Sequence, residues 1–192
     1  MRAGLNADSF VIAAKVVLHL RACKQVKHNS FSTYMKRDKT QSLTPSQALL
    51  KAAHYCAYQE RCQKEVRAKL AEWGLWGKEA ENIVLQLIEQ NYLNEERFAR
   101  AFAGGKFRTK QWGRNKIKIE LRQREISDYC LAKAMLEIDG DDYLKVLEAE
   151  VRKKLKDSKD KDSRVKKLKA SRYLIAKGFE PDLTWEMLNK LM

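Results

Sequence analysis

The chain has 192 residues, of which 44% are hydrophobic and 33% charged, and its formal net charge at pH 7 is +14. This apolar content argues against disorder throughout, and 8 Gly with 2 Pro supply too few turns for a sandwich or barrel of many short strands. The composition therefore predicts an all-α protein. Its positive charge favours an acidic partner, which is a nucleic acid, an anionic membrane surface or a complex that contains one of these.

The cysteines and histidines indicate neither a metal site nor a catalytic one. The 4 cysteines form no Cys-x-x-Cys pair, which favours a reducing cytoplasm and no disulfide framework. His54, Cys56 and Cys62 come nearest to a metal cluster, but both cysteines fall on apolar helical positions and a fourth ligand is missing. No histidine accompanies a plausible nucleophile, and no glycine-rich phosphate loop is present. We therefore predict no metal, no cofactor and no enzymatic activity.

Residues 1–43 are predicted to form an N-terminal extension or linker of uncertain status. The apolar run from Phe10 to Leu20 is interrupted by Lys15 and His19, so it is too short and too charged to span a bilayer. We expect no membrane attachment. Met35 is an alternative start, a hypothesis that the intact mass of the native protein would test.

The first predicted triplet of helices covers residues 44–92. Thr44 can cap a helix, Pro45 suits its first position and Gln47 completes a capping box. Gly74 suits the end of the second helix. The apolar residues that define the second and third helices are Cys62, Val66, Leu70 and Trp73, then Ala80, Ile83, Val84, Leu87 and Ile88.

Two further triplets follow, over residues 93–139 and 140–192. Asn94 can cap the fourth helix, Ser127 the sixth, and the acidic run from Asp139 suits a helix start. The apolar positions are Phe98, Ala99 and Phe102; Ile117 and Leu121; Cys130, Leu131, Ala134, Met135 and Ile138; Leu144, Leu147, Val151 and Leu155; Val165, Leu168 and Ile175; and Leu183, Met187, Leu188 and Leu191.

The triplets are copies of one unit. Leu70, Leu121 and Leu174 each stand four residues before a turn, at offsets of 51 and 53 residues. A period near 50 indicates duplicated three-helix units, whose small cores need neighbours for stability. We predict an elongated array of three tandem three-helix repeats.

Much of the positive charge is concentrated between residues 106 and 124, where eight basic residues face the single acid Glu120. Arg114, Lys118 and Arg122 recur every four residues, so one helix face is cationic and suits phosphate contact. Trp112 could stack on an unpaired base, but Gly113 beside it favours a core anchor at a turn.

A second basic block, from Arg152 to Lys177, contains twelve Lys or Arg against three Asp. Such acid-interrupted stretches are often solvated helix surfaces. Contact with an acidic partner and simple solvation are equally supported by this pattern.

Two motifs stand out in the second triplet. One is the run Tyr92-Leu93-Asn94-Glu95-Glu96-Arg97-Phe98-Ala99. The other is Lys110-Gln111-Trp112-Gly113-Arg114-Asn115-Lys116-Ile117 with Leu121 and Ile126. Together they resemble the motifs of the RecX family of recombinase regulators. The similarity covers about residues 44–192 and excludes the N-terminal extension. The motif residues to which it assigns a structural role are Asn94, Phe98, Ala99, Trp112, Gly113, Ile117 and Leu121.

The resemblance implies a cytoplasmic, monomeric regulator that binds the RecA recombinase filament on single-stranded DNA and damps its ATPase and strand exchange. Contact with DNA would be direct or through the filament. The expected filament- or DNA-binding residues are Lys106, Arg108, Lys110, Arg114, Lys116, Lys118 and Arg122. Glu125 stands where the family usually has glycine, which makes a left-handed turn costlier and leaves the angle of that junction open.

Two other functions fit the sequence. A stand-alone basic helical module would bind DNA or RNA tightly without a recombinase, with a steep dependence on salt. A purely protein-binding scaffold would bind its partner with an affinity insensitive to both nucleic acid and salt.

Overall fold

The computed structural model describes residues 43–159 and 161–192, and all the regular secondary structure in these ranges is helical. The nine described helices are α1 (Pro45–Tyr58), α2 (Gln63–Glu72), α3 (Gly77–Glu89), α4 (Glu95–Lys110), α5 (Arg114–Gln123), α6 (Asp128–Met135), α7 (Gly140–Asp157), α8 (Ser163–Ala176) and α9 (Pro181–Leu191). The predicted all-α class is confirmed. Met35 and the predicted extension, apart from Leu43, lie outside the described residues.

Five of the nine described helices begin where a side chain satisfies one or more of their first backbone N–H groups. Gln47 N donates to Thr44 Oγ1 at 3.4 Å and Thr44 N donates to Gln47 Oε1 at 3.1 Å, which is the predicted capping box. Asn94 caps α4 by accepting from Arg97 N at 2.8 Å, and Asp139 Oδ1 accepts from two N–H groups at the start of α7. Local sequence therefore determines these helix starts.

Each triplet ends its second helix in the same way. Leu70, Leu121 and Leu174 are fully buried, and the carbonyl of each accepts from the N–H five residues later, at 3.0, 3.2 and 3.1 Å. Gly74, Glu125 and Gly178 make this turn possible with φ angles of +85°, +61° and +100°. Glu125 thus adopts the left-handed conformation that glycine adopts in the other two repeats.

Two cores stabilise the three triplets. The principal helix contacts lie within α1–α3, within α4–α6 and within α7–α9. The first triplet has its own apolar core, whereas the second and third share one. Three aromatic rings join that shared core, with Tyr143 lying 5.9 Å from Phe107 and 5.4 Å from Phe179 between ring centroids. The second and third triplets are therefore packed together as one body.

The predicted apolar stripe of α8 is wrong. Val165, Leu168 and Ile175 are 38%, 44% and 39% exposed, and α8 instead packs through Ala170, Ser171 and Leu174. The small side chains of Ala170 and Ser171 allow a close approach, and the Ser171 hydroxyl is satisfied by the carbonyl of Leu168 at 2.9 Å. The same error affects Ile88 of α3 and Leu144 of α7, which are both exposed.

The junction between the second and third triplets is a direct backbone contact. Gly113 N donates to the Lys177 carbonyl and Asn115 N to the Gly178 carbonyl, both at 3.0 Å. A Cβ atom on Gly113 would lie 2.1 Å from the Gly178 carbonyl group. Glycine is therefore required at position 113 because two backbone segments of the chain touch there.

The junction between the first and second triplets is mainly polar. Lys64 pairs with Glu125 at 2.8 Å and donates to the Gln123 carbonyl at 3.0 Å, while Arg97 pairs with Glu60. Cys62 is the apolar link, since it is fully buried and belongs to the core of the second and third triplets. Ion pairs thus connect α2 to the turn after α5, and the loop before α2 to α4.

Candidate nucleic-acid interface

The predicted basic residues lie on the end of α4, the following turn and α5. Ile117 and Leu121 are fully buried, so one side of α5 packs into the core while the other faces outward. Of the predicted contact residues, Arg108, Lys110 and Arg122 are exposed, and Lys106, Arg114, Lys116 and Lys118 are half-buried. All seven therefore lie on two consecutive helices, α4 and α5, and none of them is fully buried.

Arg114 has a clear structural role. Its backbone N–H donates to the Tyr143 hydroxyl at 3.2 Å, and its guanidinium lies 4.2 Å from the centre of the Tyr143 ring. The guanidinium also donates to the Ile138 carbonyl at 3.4 Å. Arg114 therefore fastens α5 to the start of α7, and only part of its donor capacity remains for a partner.

Tyr143 is the buried centre of this contact. Its hydroxyl donates to a carboxylate oxygen of Glu180 and accepts from the Arg114 N–H. Burial, and then the hydrogen bond to Glu180, raise the pKa of Tyr143 well above its usual value. The phenol thus remains protonated and joins α5, α7 and the start of α9.

Trp112 is packed at the edge of the shared core and carries two cations. The ammonium groups of Lys116 and Lys106 lie 4.6 Å and 5.4 Å from the centre of its indole ring. Both distances suit cation–π attraction. This geometry favours the core-anchor interpretation of Trp112, which also positions two of the predicted contact lysines.

Acidic side chains neutralise the far end of α5. Arg124 pairs with Glu120 at 2.7 Å and lies 3.7 Å from Glu65 of α2, and Arg122 lies 3.8 Å from Asp128. Of these contacts, the one between Arg124 and Glu65 spans the junction between the first and second triplets. The cations of α5 with least internal pairing are therefore those near its start, Lys116 and Lys118.

A second cationic surface, formed by residues of the basic block from Arg152 to Lys177, lies between α7 and α8. A groove of about 580 Å³ is lined by Lys154, Lys159, Lys166, Lys169 and Arg172. These residues come from both helices and the turn that joins them, so their convergence depends on how α7 and α8 pack. The dense basic block was the only signal for it.

Residues 43–159 and 161–192 contain neither a cluster of metal-ligating side chains nor a helix suited to a membrane. No group of three His, Cys, Asp or Glu side chains there could hold a metal ion. No helix in those ranges has the length and apolar character needed to cross a membrane.

The fold and this surface define a helical-repeat protein with strongly basic faces. Family models describe each triplet: the first three-helix domain of RecX matches residues 48–87, the second matches 94–135 and the third matches 141–188. The chain is also 30% identical over 145 residues to "Regulatory protein RecX" of Prosthecochloris aestuarii, covering 76% of this chain and 93% of that protein. It therefore belongs to the RecX family of regulatory proteins.

Other relatives support the same family assignment. A Clostridium perfringens "Regulatory protein RecX" is 32% identical over 133 residues, which cover 68% of this chain and 62% of the relative. The crystal structure of RecX from Lactobacillus salivarius superposes with a TM-score of 0.68 at 23% identity, covering 77% of this chain and 96% of that chain. This structural likeness establishes the fold.

Proposed function

We propose that this protein binds the RecA recombinase filament on single-stranded DNA, inhibits its ATPase and strand exchange, and so modulates DNA repair and recombination. Membership of the RecX family carries this proposal, since all three of its three-helix domains match this chain in order. We further propose that it acts as a cytoplasmic monomer.

The structure supports a mechanism based on binding. Three tandem units offer several contact surfaces on one chain, and modest contacts made together give a much higher overall affinity. The start of α5 presents Lys116 and Lys118, positioned by the buried side of the helix and by Trp112. These lysines would meet phosphates of the DNA that the recombinase coats.

The decisive experiment is titration of the protein into a RecA ATPase assay on single-stranded DNA at moderate salt. We expect inhibition at concentrations stoichiometric with the recombinase. The absence of inhibition under these conditions would refute the proposal. Tight DNA binding without any effect on the recombinase would instead support the stand-alone nucleic-acid-binding module.

A pair of variants tests the contact residues. Lys116→Ala with Lys118→Ala removes two cations from the start of α5, and each lost phosphate contact lowers affinity by about fivefold at about 0.1 M salt. The half-inhibitory concentration should therefore rise by roughly 25-fold. Lys78→Ala, at an exposed position of α3, is the control and should leave it unchanged. Equal inhibition by all three proteins would exclude α5 as a contact surface.

A further inference from the structure

The groove between α7 and α8 is a concentrated cationic surface. Its lining carries the five basic side chains named above, and Asp157 is the one carboxylate among the described lining residues. Like charges held this close repel one another, which costs stability unless an anion offsets the repulsion. The arrangement therefore needs an explanation other than folding.

Three of the groove cations have no carboxylate partner in the described part of the chain. Among the ion pairs of the described residues, none involves Lys154, Lys166 or Arg172. Outside the groove, by contrast, Arg152 of α7 pairs with Glu148 at 2.7 Å and Lys177 pairs with the buried Glu150. Within the described ranges, the charges of these three groove cations are therefore not offset by a salt bridge, whereas those of Arg152 and Lys177 are.

The groove also has a firm base. Ala170 is 1% exposed and belongs to the shared core, and beside it the Tyr173 ring lies 4.7 Å from the Lys154 ammonium. The Tyr173 hydroxyl donates to Glu150 at 3.4 Å, which orients the ring. Lys154 is therefore held over the groove before any ligand arrives, and less entropy is lost on binding.

We propose that this α7–α8 groove binds the phosphodiester backbone of single-stranded nucleic acid. The groove would give the protein a second contact on the DNA strand, in addition to the start of α5. That the strand is the DNA coated by the recombinase rests on the function proposed above. A cavity of about 580 Å³ is too small to enclose a double helix but takes a short length of single strand.

The test measures binding of a fluorescent oligothymidylate to the full chain without recombinase, over a range of salt concentrations. Lys166→Ala with Arg172→Ala removes two groove cations. For single strands each phosphate contact adds about 0.7 to the slope of log K against log salt, so the slope should fall by about 1.4. At about 0.1 M salt the affinity should fall roughly 25-fold.

The matched control is Lys153→Ala with Lys190→Ala, which removes the same charge from exposed positions outside the groove lining. We expect its salt slope to equal that of the unsubstituted protein. Equal slopes for both double variants would overturn the proposal. Circular dichroism spectra and melting curves would verify that the groove variant folds.

Two further arms separate the sources of phosphate and the two proposals. Competition by inorganic phosphate as strong as by the oligonucleotide, or binding to phosphatidylserine vesicles but not to the oligonucleotide, would overturn the assignment to a nucleic-acid strand. If the groove variant binds the oligonucleotide and inhibits the ATPase as well as the unsubstituted protein does, the groove proposal alone is refuted. If the groove variant loses DNA binding but the unsubstituted protein does not inhibit the ATPase, the recombinase proposal alone is refuted.

Discussion

A single methyl group at Gly113 is expected to force the second and third triplets apart. The Cβ atom of Gly113→Ala would lie 2.1 Å from the carbonyl carbon and oxygen of Gly178 and 2.2 Å from Phe179 N. Non-bonded heavy atoms need a separation of about 3.5 Å, so the backbone segments at Gly113 and Gly178 must move apart by more than about 1 Å. The backbone φ of Gly113 is −71°, which alanine adopts freely, so the effect is purely steric.

The expected cost combines two contributions. Overpacking at such a contact costs about 1–3 kcal/mol. Stretching the hydrogen bonds from Gly113 N and Asn115 N, both 3.0 Å long, leaves two backbone groups poorly paired at about 1–3 kcal/mol each if they are buried. A total of about 3–9 kcal/mol corresponds to a fall in Tm of roughly 6–36 °C for a chain of this size.

Thermal unfolding followed by circular dichroism measures this effect. Gly105→Ala in α4 is the control, because a Cβ there meets no atom within 4 Å. Alanine in place of glycine inside a helix should stabilise the protein by up to about 1 kcal/mol. The Tm is therefore expected to fall in Gly113→Ala and to rise in Gly105→Ala. A Gly113→Ala protein that melts at the unsubstituted temperature would refute the backbone contact between the repeats.

Three further measurements test other features. Glu125→Gly should raise the Tm by roughly 2–4 °C, because glycine adopts the left-handed turn without steric cost. The ion pair to Lys64 holds the pKa of Glu125 below its usual value, so its contribution is present at neutral pH and lost as the pH falls through that lowered pKa. The Tm of the unsubstituted protein should consequently fall more on acidification than that of Glu125→Gly; parallel curves would contradict the pairing. Burial raises the pKa of the Cys56 thiol to about 11, so a disulfide reagent at neutral pH should label it only after denaturation.

The sequence was sufficient to predict what local chemistry determines. Thr44, Asn94 and Asp139 cap helices where expected, because a capping side chain needs only the next three residues. The spacing of Leu70, Leu121 and Leu174 identified the repeat, since each leucine fills the same buried position beside the same kind of turn. Features confined to one turn of helix were therefore accessible.

Features that depend on packing could not be predicted from the sequence. Periodicity assigned Val165 and Leu168 to the buried side of α8, but the helix packs through the small Ala170 and Ser171, whose size sets the approach of α7. Arg114 was expected to meet phosphate, yet its contact with Tyr143 comes from a residue 29 positions away. The α7–α8 groove likewise exists only once two helices are placed side by side.

The two junctions differ in kind, and this difference determines how the array should unfold. Tandem repeats often behave as a row of units coupled only to nearest neighbours. Here the backbone hydrogen bonds at Gly113 and the shared aromatic core join the second and third triplets, so we expect these two to unfold as a single cooperative unit. The first triplet, with its own core and a mainly ionic border, is expected to unfold separately. Three copies of one sequence motif are thus expected to behave as two folding units.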